Sequence, residues 1–147
     1  MRHTLLLAFI FLLSPISSQA QKYLEGRWEG ALVQHGKEYI LKMDIKRNFN
    51  KVEAEIYCIT NDTTFTRTVA KGRLYSDRSV YLEDFKIVFP VDPKAGIHFK
   101  KKFQLLYDRD FNTLTLDGYW QELGNISKVD QKIGQVRLKR IIDKRRA

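Results

Sequence analysis

Hydrophobic and polar residues alternate with a period of two through most of the chain after residue 20. In the segment 38–46, lysine and aspartate side chains alternate with the apolar residues Tyr39, Leu41, Met43 and Ile45. Such alternation is typical of a β-strand that buries one face. Because no segment after residue 20 has a convincing helical period, the pattern predicts an all-β fold.

Turn-forming residues divide this alternating region into eight predicted strands. They are Gly26 to Gln34, Glu38 to Lys46, Val52 to Cys58, Thr64 to Leu74, Ser79 to Val88, Phe99 to Tyr107, Thr113 to Trp120 and Lys132 to Arg140. Short connections favour pairing between consecutive strands, and an open sheet would leave two unpaired edges. Closure removes both edges, so we expect an eight-stranded antiparallel up-and-down β-barrel.

The first twenty residues have the order of a secretory signal peptide. A basic Arg2 precedes the uncharged apolar run 5–13, and Ser18 and Ala20 supply small residues at a cleavage site. The apolar run is shorter than the roughly 20 residues of a membrane-spanning helix; the alternative is a buried helix. We expect cleavage after Ala20 and export to a periplasm or to the outside of the cell.

Length and composition fit one exported domain. The chain has 147 residues, of which 44% are hydrophobic and 29% charged, as in an ordinary globular protein. We expect a signal peptide over 1–20, a single barrel domain over 21–140 and a basic tail over 141–147, with no transmembrane segment in the mature chain. The single cysteine excludes an intramolecular disulfide scaffold.

The two ends of the predicted barrel domain carry a sequence pattern with a known counterpart. Gly26-Arg27-Trp28 opens the first strand, and Arg140 lies near the end of the last. This pattern resembles the calycin group, which comprises lipocalins, fatty-acid-binding proteins and avidin-like barrels. The resemblance implies a lipocalin-like architecture in which Arg140 packs over Trp28 and closes the barrel floor. The disulfides usual in secreted lipocalins are absent, and no biotin-site pattern can be matched.

The sequence lacks the motifs of common catalytic and cofactor sites. There is no Gly-x-Ser-x-Gly, no His-Glu-x-x-His and no glycine-rich phosphate loop. His35 and His98 lie in or beside predicted loops, with no carboxylate or cysteine at metal-ligand spacing. Cys58 is predicted to face the core, where an apolar environment raises a thiol pKa and makes it a poor nucleophile. We therefore expect a protein that is not an enzyme and has no cofactor or metal.

The basic charge of the chain limits the kinds of partner that it is expected to bind. The 26 lysines and arginines exceed the 17 acidic residues, giving a formal net charge of +9. The densest basic runs are 100–102 and 139–146, whereas nucleic-acid binders combine such runs with exposed aromatic residues. Because the first run alternates between strand faces and the second is mainly a tail, we expect a solvated basic surface and no nucleic-acid partner. Attraction to anionic membrane lipid or polysaccharide is an alternative.

The two longest predicted connections, near 89–98 and 121–131, lie at the end of the barrel opposite Trp28. Long loops at one end of a barrel are common positions for binding sites. The side chains predicted to face inward near that end are Tyr39, Phe65, Arg67, Phe99, Lys101 and Trp120. Arg67 and Lys101 interrupt apolar faces and could anchor a ligand carboxylate or phosphate. The alternatives are that they bend outward at the rim, or that the strand phase is shifted by one residue.

Two functions are consistent with this pattern. The first is an exported barrel that binds a small apolar or amphiphilic anion at its long-loop end. The second is a non-enzymatic protein-interaction or structural module whose barrel is filled. An eight-stranded barrel is just wide enough for either case, because side chains can fill it or it can hold one small ligand.

The turns after the second and sixth predicted strands share a short motif. Arg47-x-Phe49-Asn50 is repeated as Arg109-x-Phe111-Asn112, 62 residues later. The repeat indicates two similar hairpins separated by four strands, although it is too short to establish a duplication.

Overall fold

The computed structural model describes residues 23–61, 64–89, 99–124 and 132–142. They form eight strands: β1 (Gly26–Gln34), β2 (Lys37–Asn48), β3 (Lys51–Asn61), β4 (Thr64–Leu74), β5 (Ser79–Phe89), β6 (Lys101–Asp110), β7 (Thr113–Glu122) and β8 (Ile133–Arg140). Each strand pairs antiparallel with the next, and β1 pairs with β8 to close the barrel. The predicted eight-stranded up-and-down barrel is therefore confirmed.

Several sequence expectations fall outside the described residues. They are the signal peptide, its cleavage after Ala20, most of the two longest loops, and the basic tail beyond residue 142.

Strand boundaries agree with the prediction for β1 and β4, whereas β2 and β3 extend until only a two-residue loop separates them. In contrast to the prediction, β6 begins at Lys101 rather than Phe99 and continues to Asp110.

The barrel interior is filled by the inward residues of all eight strands, as the period-two pattern predicts. Its largest fully buried side chains are Trp28, Trp120, Phe103, Leu24, Leu32, Leu41, Met43, Ile45, Leu82, Leu116 and Leu138. Burying side chains of this size contributes about 1.5–3 kcal/mol each relative to exposure. Hydrophobic burial is therefore the main force that holds the closed sheet together.

Four inward positions are glycines, in β1, β4, β7 and β8. A Cβ atom at Gly30 would lie 1.9 Å from the carbonyl oxygen of Arg137, and one at Gly134 would lie 1.7 Å from that of Val33. Gly72 and Gly118 meet backbone carbonyls in the same way. Glycine in a strand interior often marks a sharp bend or a close backbone approach. These positions therefore let the small barrel close.

The two ends of the barrel differ. We call "floor" the end with the β2–β3, β4–β5 and β6–β7 loops, the start of β1 and the end of β8, and "mouth" the opposite end. Toward the mouth, β5 carries register shifts against β4 opposite Arg67–Thr68 and Val69–Ala70. Its pairing with β6 ends at Glu83 and Lys102. The wall between β5 and β6 is therefore interrupted near the mouth.

Candidate functional site at the barrel mouth

Lys101 is the first residue of β6, and its side chain points into the barrel. The residue is only 2% exposed, so the inward orientation predicted for it is correct. Its ammonium group donates a hydrogen bond to the carbonyl of Phe99 at 3.1 Å. Burial lowers the pKa of Lys101 below its ordinary value, and the negative charge of Asp84 acts against that shift. The amino group of Lys101 therefore lies inside the barrel, close to its mouth.

Asp84 occupies the corresponding inward position on β5 and links the two strands where their ladder ends. One carboxylate oxygen accepts the backbone N–H of Lys101 at 2.9 Å, and the other accepts the hydroxyl of Thr68 at 2.9 Å. Burial raises the pKa of Asp84, while Lys101 lowers it. Asp84 thus replaces a missing backbone acceptor for the N–H of Lys101, and its negative charge acts against the effect of burial on the Lys101 side chain.

Cys58 on β3 belongs to the same interior cluster. Burial raises the pKa of its thiol to about 11, with a lowering contribution from Lys101 and a raising one from Asp84. The predicted inward orientation of Cys58 is correct. At neutral pH this group is a protonated thiol, so it fills space beside Lys101 and Asp84 instead of acting as a nucleophile.

Aromatic rings cover the cation. Phe99 stacks on Trp120, with ring centroids 5.7 Å apart and an interplanar angle of 24°. The ammonium of Lys101 lies 5.1 Å from the Phe99 ring centroid, and that of Lys132 lies 4.6 Å from it. The indole N–H of Trp120 donates to the carbonyl of Val33 at 2.9 Å, which fixes the ring across the barrel.

Of the six residues predicted to line this site, four face the mouth. Phe99 contacts both Lys101 and Trp120 as described, and the partly buried Tyr39 packs against the core at the same end. Phe65 and Arg67 do not join them.

The inward orientation predicted for Phe65 and Arg67 is wrong. In the half of β4 nearer the mouth, the inward positions are taken by the buried residues Thr66 and Thr68, while Phe65 is 40% exposed. Arg67 instead donates to Glu55 on the outer wall at 2.9 Å, and this hydrogen bond lowers the pKa of the Glu55 carboxyl. The predicted inward face of this part of β4 was therefore shifted by one residue. The threonines face inward instead, and the hydroxyl of Thr68 donates a hydrogen bond to Asp84.

Sequence reasoning missed three residues of the site, namely Thr68, Asp84 and Lys132. Asp84 continues the inward alternation of Val80 and Leu82 on β5, so the period-two pattern could have found it. The pairing of Asp84 with Lys101 had no such signal, because the two residues are on different strands whose register is set only in the folded barrel.

At the floor, register places Trp28 directly opposite Arg140 across the β1–β8 seam. The Trp28 indole N–H donates to the carbonyl of Leu24 at 2.9 Å, and its ring meets Tyr107 edge-on at 6.2 Å. Arg140 donates to the carbonyl of Tyr23 at 3.0 Å. Both residues therefore lie at the end of the barrel that the sequence assigned to them.

Two clefts of about 760 Å³ each lie outside the barrel core. One crosses the outer wall of β5–β8 and includes the exposed side chains of Tyr75, Leu106 and Tyr119. The other lies at the floor and is lined by Arg27, Arg109 and Arg140 together with apolar residues.

Among the described residues, no three histidine, cysteine, aspartate or glutamate side chains are grouped as a metal site would require.

Comparison with protein-family models, curated proteins and solved structures finds no match to this chain. The geometry of the barrel itself is therefore the basis for inferring its function.

Proposed function

We propose that this protein is an exported, lipocalin-like barrel that binds a small apolar or amphiphilic anion at its mouth. The observation that carries the proposal is the buried ammonium of Lys101, which lies where the β5–β6 ladder is interrupted. A buried charge is costly unless it is paired, and the nearby Asp84 acts against the effect of burial on Lys101 without outweighing it. A ligand carboxylate or phosphate would supply further acceptors for its N–H groups.

The aromatic residues around Lys101 are suited to the apolar part of such a ligand. Phe99 precedes β6 and stacks on Trp120, while Tyr39 flanks the same end. Movement of Phe99 away from Trp120 would expose the indole face and the ammonium together. Since side chains fill the interior below, the ligand would occupy the mouth and not the full length of the barrel. Lys132 would add a second positive charge.

Export follows from the leader-like first twenty residues and is part of this proposal. An exported barrel would meet its ligand in a periplasm or outside the cell. Among the described residues, no helix is long and apolar enough to cross a bilayer.

A binding assay with a matched pair of lysine variants tests the proposal. Lys101→Met keeps the length and apolar stem of the side chain but removes its charge, while Lys102→Met changes the neighbouring lysine on the opposite face of β6. We expect Lys101→Met to weaken binding of a fluorescent fatty-acid probe roughly ten- to a hundredfold, as loss of a charged hydrogen bond of about 1.5–3 kcal/mol would. Lys102→Met should bind like the unmodified protein.

Thermal melts of both variants establish that they are folded, and Trp120 emission provides a second readout of ligand binding. Equal affinity of Lys101→Met and unmodified protein would contradict the assigned role of Lys101. Absence of saturable binding of fatty acids, haem-like and isoprenoid ligands would contradict the ligand-binding function as a whole.

The second candidate is a protein-interaction module with a filled barrel. It is favoured by the tight burial of the interior and by the cleft on the outer wall, where Leu106 and Tyr119 are 51% and 64% exposed. In that case the hydrogen bond between Asp84 and the backbone of Lys101 is a structural link between β5 and β6. The partner protein would bind in the cleft on the outer wall. The same binding assay separates the candidates, because a module binds none of the small ligands.

A further inference from the structure

The floor of the barrel presents an apolar side chain in each of its four loop or terminal regions. These residues, which we call the floor rim, are Phe49, Tyr75, Phe111 and Ile142, and all four are at least half exposed; Tyr75 also borders the outer-wall cleft, which reaches the floor at the β4–β5 loop. The β2–β3, β4–β5 and β6–β7 loops and the β8 terminus follow one another at intervals of two strands around the barrel. The four side chains are therefore distributed around the whole circumference of one end.

Phe49 and Phe111 are the most exposed large apolar residues described, at 87% and 92%. Each is the first residue of a two-residue hairpin loop, and each has a positive φ, 54° and 45° respectively. Hairpins usually place glycine, asparagine or aspartate in left-handed positions, and a bulky residue there is a genuine outlier. Neither burial nor turn geometry accounts for two phenylalanines at these tips, so a contact outside the chain is the better explanation.

Basic side chains accompany the floor rim. Lys51 follows the first phenylalanine loop and Arg109 precedes the second. The floor cleft of about 760 Å³ adjoins Phe111 and Ile142 and is lined by Arg27, Arg109 and Arg140, with Asp44 as its acidic member. Arg109 packs over the ring of Tyr23, 5.0 Å from its centroid, which holds the guanidinium at this end.

We propose that the floor of the barrel docks on a membrane surface that contains anionic phospholipid. Phe49 and Phe111 insert into the interface from opposite sides of the barrel, and the arginines of the floor cleft pair with lipid phosphate groups. A bilayer fits this arrangement because it is flat enough to meet all four rim positions together. It also combines an apolar layer with negative charge, as peripheral membrane contacts require. The net charge of +9 favours the same partner.

Vesicle co-sedimentation tests this inference with the full mature chain. We expect binding to phosphatidylcholine vesicles containing about a third phosphatidylglycerol, weakening at high salt, and little binding to phosphatidylcholine alone. The double variant Phe49→Asn, Phe111→Asn should lose at least about tenfold in partitioning, since each buried ring contributes to interfacial affinity. Its melting temperature should be unchanged or raised, because asparagine tolerates the left-handed backbone better than phenylalanine.

The matched control is Phe85→Thr, which removes a phenylalanine that is 62% exposed on the barrel wall and not at the floor. It should bind vesicles like the unmodified protein. Arg109→Gln leaves both rim phenylalanines in place and should weaken binding to the anionic vesicles about fivefold. Failure of the unmodified protein to bind anionic vesicles at low salt would overturn the inference. Equal binding by the double variant and the Phe85→Thr control would also overturn it.

Discussion

Three titratable side chains share the barrel interior near the mouth, and burial acts on each of them. It lowers the pKa of Lys101, raises that of Asp84, and raises that of Cys58 to about 11. Lys101 and Asp84 each favour the charged form of the other, which offsets part of the cost of burial. Cys58 has only the longer-range effect of Lys101 to favour its thiolate, so its shift toward the neutral form is large.

The Cys58 shift predicts a change in stability at alkaline pH. The unfolded thiol has a pKa near 9 and the folded one near 11, so the unfolded chain loses the proton first as the pH rises. The contribution of Cys58 to the free energy of unfolding is therefore fully present below pH 9. It decreases by about 2–3 kcal/mol as the pH rises to the pKa of the folded thiol.

Urea unfolding of unmodified protein and Cys58→Ala, in reducing buffer over this pH range, measures that effect. Cys58→Ala removes the thiol together with its electrostatic coupling to Lys101 and Asp84, so the difference between the two curves measures the ionisation of Cys58 and that coupling. Curves that run parallel from pH 9 to 11 would show that Cys58 does not ionise differently on folding.

At the scale of strands, closure depends on how near the backbones of β1 and β8 can approach. Trp28 to Leu32 pair with Arg140 to Val136 across this seam. At Gly30 the approach leaves no room for a Cβ atom beside the carbonyl of Arg137. The seam therefore requires glycine at that position for steric reasons.

Gly30→Ala should destabilise the barrel by roughly 1–3 kcal/mol, the usual cost of overpacking a filled interior. Ala31→Ser lies next to it on the outer wall and should stay within about 0.5 kcal/mol. Urea unfolding midpoints at an unchanged m-value give both numbers. A Gly30→Ala protein as stable as the control would mean that β1 and β8 can separate at the seam without loss.

At the scale of the whole molecule, the two ends of the barrel have different properties. The mouth has the interrupted β5–β6 ladder, the buried Lys101 and the Phe99–Trp120 stack. At the floor, the buried side chain of Trp28 fills the end of the barrel and contacts Leu24 and Tyr107. One closed sheet joins both ends. We therefore expect removal of the Trp28 side chain to lower the stability of the entire domain, which should still unfold in a single transition.

Trp28→Ala should therefore cost roughly 3–5 kcal/mol of global stability. Arg140→Ala removes a hydrogen bond to the Tyr23 carbonyl at the surface, and should cost about 0.5–1.5 kcal/mol. Denaturant melts followed by circular dichroism compare the two. If each substitution costs less than about 0.5 kcal/mol, these residues do not close the floor.

The sequence alone determined the number of strands, their order and most of their inward faces. Alternation places Leu41, Met43 and Ile45 on one side of β2 wherever that strand pairs, because successive side chains of any strand point to opposite faces. Short hairpins between such strands leave closure as the simplest way to remove both edges.

Only the tertiary structure decided the phase of β4 and the grouping of charged residues at the mouth. Thr68 faces inward because Asp84, 16 residues later, accepts its hydroxyl hydrogen, and Arg67 faces outward beside Glu55 of β3. Polar side chains take the face where a partner is available, and that partner comes from another strand. Local alternation contains no information about such a partner, since the register between strands forms only when the barrel closes.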